Sequence, residues 1–199
     1  MRRSPCQQCR SAFTLVEALV SISIVAVAGS VLLLGITSSL QTTDEAISQT
    51  LANGMAMQLI DEVVGNRYHS IGADGYQTNL GPSSDELGGA GRERYNDIGD
   101  YHGFQSQPPQ GPFGIELGQD DGDGGIRHPN FVMPEGRFDN WREEIEVYYV
   151  NESDLTTRLP VGATSDYRVV EVRIIHDDPK RGSRELAKMR RVVAYVPPM

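Results

Sequence analysis

The stretch FTLVEALVSISIVAVAGSVLLLGITSSL, residues Phe13 to Leu40, decides how this chain folds. No charged residue occurs from Ala18 to Thr43, and Ala18–Leu40 is long enough to cross a hydrocarbon layer of about 30 Å as a helix. Outward from it the charge is lopsided. Residues 1–12 hold Arg2, Arg3 and Arg10 and no acid; the rest of the chain sets 15 basic residues against 27 acidic ones, within a total of 199 residues and a net charge of -9. A basic head, an apolar run and an acidic body is the order of a membrane-inserted chain, with the head on the cytoplasmic side and everything after Leu40 outside. The acidic body argues against direct nucleic-acid binding, which needs a basic face. The apolar run is too long for the core of a secretory signal, and no small-residue cleavage site follows it.

Cys6 and Cys9 form a C-x-x-C in the basic head, without the strand-to-helix setting of a redox motif or further zinc ligands nearby. No cysteine follows, so the body has no disulfide to staple it.

Glu17 breaks the pattern. It sits at the cytoplasmic end of the apolar run, within FTLVEALV. A carboxylate at that depth costs up to about 2.5–3.5 kcal/mol, which makes it a functional suspect. The sequence offers it no cation on the apolar side, but proteolysis before Phe13 would create one as a free α-amino group. Arg10-Ser11-Ala12-Phe13-Thr14-Leu15-Val16-Glu17 resembles the processing motif of type IV prepilins and type II secretion pseudopilins. The resemblance implies a basic leader cut between Ala12 and Phe13 by a prepilin peptidase, N-methylation of Phe13, and a Glu17 that offsets the N-terminal charge of a neighbouring subunit. It departs from the family at Ala12, where glycine is usual. The partners so implied are the prepilin peptidase and methyltransferase, other pilin or pseudopilin subunits, an inner-membrane assembly platform and membrane lipid. Small residues at Ala26, Ala28, Gly29 and Ser30 suit close helix approach, while Gly29 and Gly35 are expected weak points where the helix could bend or unwind.

Beyond the membrane, Ile47, Leu51, Met55, Leu59 and Val63 recur every four residues among polar neighbours. They predict an amphipathic continuation closed by Gly65 and Asn66, with Met55 and Met57 in the core. Trp141–Val150 alternates, with Ile145, Val147 and Tyr149 on one face. Tyr167–His176 places Val170, Val172 and Ile174 inward and Glu171 and Arg173 outward, followed by a turn over Asp177–Gly182. A third strand is expected over Glu185–Val196, stopped by Pro197 and Pro198. The expected fold is α+β: a long N-terminal helix packed on a small antiparallel meander, which is also the fold the resemblance implies. The divisions are a leader (1–12), a polymerisation helix (13–40), its continuation (41–66), a loop-rich region (67–140) and the sheet (141–199).

In the loop region, Tyr95–Phe104 (YNDIGDYHGF) resembles an aromatic and acidic segment of minor pilin-like proteins, and also reads as a turn whose aromatic rings pin the loop to the core. Asp120, Asp121 and Asp123, interleaved with glycines, have the oxygen donors calcium takes. They miss the third spaced ligand and the final glutamate of an EF-hand, so a solvated acidic loop is the first reading and calcium the alternative. No other cofactor is expected. His69, His102, His128 and His176 are scattered, no nucleophile motif accompanies them, and no catalytic set is assigned. The expected role is a minor pilin or pseudopilin. The competing one is an uncleaved single-pass anchor carrying an external binding module.

Overall fold

In the computed structural model, which describes residues 14–121, 124–179 and 182–197, the chain divides into two compact units, Met1–Ile47 and Ser48–Met199. Helix α1 spans Leu15–Val64 without interruption. The helical ladder continues through Gly29 and Gly35, so the helix does not unwind at either. The helix stops where Gly65 and Asn66 turn the chain, their N–H groups reaching the Asp61 and Val63 carbonyls.

The second unit is a sheet with one covered face. Strands β1 (Phe104–Ser106), β2 (Trp141–Asn151), β4 (Tyr167–Asp178) and β5 (Gly182–Ala194) lie in the order β1-β2-β4-β5, and β3 (Asp154–Arg158) pairs with the end of β2. Every pairing among these five strands is antiparallel. The sequence showed β2, β4 and β5 but neither β1 nor β3; three and five residues leave no period to detect. Gly182 adopts φ 82°, so β5 starts there instead of at Glu185 and pairs at once with Asp178. β5 ends at Ala194, not Val196.

Ala52, Met55, Ala56, Leu59, Ile60 and Val63 of α1 are buried against Ile145 and Val147 of β2, Val170, Val172 and Ile174 of β4, and Ala187 of β5. This differs from the four-residue row expected for the helix. A strict i+4 row drifts about 40° around the helix at each step, whereas the buried face alternates three and four. Ile47 falls off the row at 50% exposure, and Met57, expected in the core, is 55% exposed.

Charged residues occupy both faces of the strands. Glu171 points to the outer face as expected, yet it is only 8% exposed. Lys188 Nζ reaches its Oε1 at 2.9 Å and the Tyr148 hydroxyl donates to Oε2 at 3.1 Å. Burial opposes its charge, these hydrogen bonds outweigh the burial, and its pKa is lowered. Arg173 stands among Glu144, Glu146 and Glu171, so the outer face is a lattice of ion pairs and not free side chains. On the inner face, Glu143 is fully buried in an otherwise apolar series.

Arg92 explains that acid. Its guanidinium donates from Nε and Nη2 to the two oxygens of Glu62 at 2.9 and 3.0 Å, and from Nη1 to Glu143 Oε1 at 3.2 Å. It also lies 4.7 Å from the Phe104 ring centroid. The Tyr95–Phe104 segment does pin the loops: Ile98 and Tyr101 are 1% and 2% exposed, and the Tyr101 hydroxyl donates to Glu62 Oε1. A reciprocal cap holds its single helical turn. Asp97 accepts the Gly99 N–H, and Asp100 accepts those of Asn96 and Asp97.

Candidate assembly site

From Ala18 to Thr43 the helix carries no charge and is exposed almost throughout. Val25 is 70% exposed and Leu34 71%, and the most apolar window of α1 buries none of its residues. A surface of that kind is stable only in lipid or against other apolar helices. Its hydroxyl groups suit either setting. Ser23, Ser30 and Thr37 each donate to the carbonyl four residues earlier at 2.8 Å, and Thr42 and Thr43 do the same at 3.0 and 2.9 Å. None of these five O–H donors has to find a partner in hydrocarbon. The small residues Ala26, Ala28, Gly29 and Ser30 lie together in this part of the helix, and a side chain at Gly29 would meet open space beyond the helix's own backbone.

At the start of the helix, Glu17 is engaged within its own chain. The Thr14 N–H and hydroxyl donate to Glu17 Oε2 at 3.3 and 3.1 Å, and the Glu17 N–H donates back to the Thr14 hydroxyl oxygen at 3.3 Å. Thr14-x-x-Glu17 is thus a capping box, a pattern legible in the sequence, and it gives the carboxylate partners within its own chain. Ala12 and Phe13, the residues of the expected cut and methylation, lie outside the described residues, as does Asp123.

Residues 8–33 match the family described as the prokaryotic N-terminal methylation motif. The chain carries a prepilin-type cleavage and methylation motif. No curated protein and no solved structure matches it. With the long apolar helix and the antiparallel sheet, the arrangement is α+β and pilin-like. The motif marks a type IV pilin- or pseudopilin-like protein, of a kind whose members are structural subunits, and implies processing by prepilin peptidase and assembly with other pilins. The bare helix fits membrane anchoring in such subunits.

The other described residues singled out in the sequence serve contacts within Ser48–Met199. Asp120 Oδ1 accepts the Arg127 N–H at 2.7 Å and Asp121 Oδ1 accepts the Gly125 N–H at 2.8 Å, so both carboxylates organise their own loop. Each histidine serves its locality. His102 Nδ1 accepts the Val147 N–H on the edge of β2, His69 packs on Tyr195, His128 on Phe131 and His176 on Trp141.

Proposed function

We propose that this chain is a minor pilin or pseudopilin. Prepilin peptidase cuts it between Ala12 and Phe13, Phe13 is N-methylated, and the subunit assembles through Glu17 into a type IV pilus or a type II secretion pseudopilus. Before assembly it waits in the cytoplasmic membrane with its N-terminus inside and Ser48–Met199 outside. The observation that carries this reading is the methylation motif over residues 8–33, continuous with a bare apolar helix. Both bonds from Thr14 land on Oε2, and among the described residues none reaches Oε1, which leaves a carboxylate oxygen for the amine of an adjacent subunit.

The same capping box supports a second reading, the uncleaved anchor, because it gives Glu17 an internal partner without proteolysis. Intact-mass measurement of the membrane-extracted protein separates the two: a start at N-methyl-Phe13 supports the subunit, and a start at Met1 the anchor. Glu17→Val is expected to insert into the membrane normally and to abolish assembly, since valine offers nothing to an amine. Filaments or secretion at the level of the parent chain would refute the pairing.

A further inference from the structure

The sheet ends on β5, and no strand among the described residues covers its far side. The direction of its backbone groups follows from one bond. Tyr195 donates its N–H to the Asp166 carbonyl, in register with the pairing of Ala194 and Tyr167. Because these groups alternate along an antiparallel strand, those of Met189, Arg191 and Val193 face β4, and those of Lys188, Arg190, Val192 and Ala194 face away. Leu186, next in the outward series, has its carbonyl taken by Gln49 Nε2 of α1. Past that contact, no backbone hydrogen bond from elsewhere among the described residues engages the outward groups from Lys188 to Ala194.

This edge is basic on an acidic protein. β5 holds Arg184, Lys188, Arg190 and Arg191 against Glu185 alone, in a chain of net charge -9. Lys188 pairs with Glu171, Arg191 with Asp61, and the Arg190 guanidinium reaches the Leu155 carbonyl. The side chains of Lys188 and Arg191 remain 46% and 48% exposed, so cationic surface is still presented. Pairing with β5 of a second copy would set these cations opposite one another, which is destabilising across strands. An acidic strand meets no such penalty.

We propose that β5, from Lys188 to Ala194, is a docking edge for an extended acidic segment of a partner protein. The partner strand adds to the sheet through the outward backbone groups, and Lys188 and Arg190, on the outer face, read carboxylates at its alternate positions. The site lies wholly within Ser48–Met199 and does not depend on cleavage at Phe13 or on Glu17.

The test uses the full chain in detergent micelles and a labelled, end-blocked peptide alternating valine with glutamate, read by fluorescence anisotropy at low and high salt. Expected is saturable binding that weakens with salt and is absent when lysine replaces glutamate. Val192→Pro removes one outward N–H without touching the β4 ladder, and is expected to weaken binding about tenfold, the scale of one to two backbone hydrogen bonds. Lys188→Glu with Arg190→Glu should transfer the preference to the lysine peptide, and carries the test should the proline variant melt early. Absence of saturable binding, equal binding of both peptides, or failure of the charge reversal to change the preference would overturn the proposal and leave the cations as guards against strand pairing.

Discussion

Replacing Arg92 by methionine tests whether the second unit is organised around a buried charge. The variant keeps an unbranched side chain of similar length and removes every donor. Glu62, with its side chain 17% exposed, has water within reach; Glu143, at 0%, does not. Removing one partner of a buried ion pair costs about 3–5 kcal/mol, chiefly the burden of the charge left behind. For a unit of this size, each kcal/mol lowers the melting temperature by about 2–4 °C, which places the expected drop between roughly 6 and 20 °C. The pH dependence separates charge from packing. Burial holds the Glu143 carboxyl above the usual carboxylate range, with Arg92 the largest opposing influence. An acid whose folded pKa is raised loses stability above that pKa, and the loss disappears as pH falls through the folded value toward the unfolded one. Without Arg92 the folded pKa rises further. The deficit of Arg92→Met against the parent should therefore be largest near about pH 8 and shrink toward about pH 5. Adding Glu143→Gln should restore part of the loss at the higher pH. Thermal melts of the full chain in micelles, followed through the near-ultraviolet signal of Trp141, give the measurement. A loss below about 1 kcal/mol, or one identical at both pH values, would refute the uncompensated-charge argument.

Other outcomes follow from single contacts. Gly75→Ala would place a Cβ 2.8 Å from Tyr195 Cζ, at a residue whose carbonyl accepts from Arg168 Nη2 and the Tyr149 hydroxyl. A destabilisation of about 1–3 kcal/mol is expected in thermal melts, and Tyr195→Ala in the same chain should remove most of that difference. Millimolar calcium should leave the melting temperature unchanged, because the Asp120 and Asp121 carboxylates already serve backbone donors in their own loop; a rise of several degrees would put the ion there.

What the sequence revealed of this fold is what repeats. Twenty-odd apolar residues declare a helix, and alternation over β2 and β4 declares strands with a known inner face. Individual buried charges have no such signature. Alternation puts Glu143 on the inner face of WREEIEVYYV, but nothing in that pattern points to Arg92, Ser106 and Gln110, 51, 37 and 33 residues earlier, whose hydrogen bonds make its burial tolerable. Arg168 behaves likewise. It is fully buried between the Tyr68 and Tyr149 rings and donates to the carbonyls of Tyr68 and Gly75, partners about a hundred residues away. The N-terminal end was legible as a motif, and Thr14-x-x-Glu17 within it as a capping box, because both are local in sequence.

The core also has a chronology. Its helical cover, Ala52–Val63, leaves the ribosome first, and the strands it lies against begin with Trp141 and finish with Ala194. Tyr68, only four residues beyond the helix, rests on Tyr195 near the other end of the chain. Contacts so distant in sequence close slowly, because the intervening loop must be gathered before any burial rewards it. A nascent chain stopped short of β5 would have a helix with an apolar flank and nothing to lay it on. Whatever machinery receives this polypeptide early handles an open thread, and the finished body arrives only with the last strand.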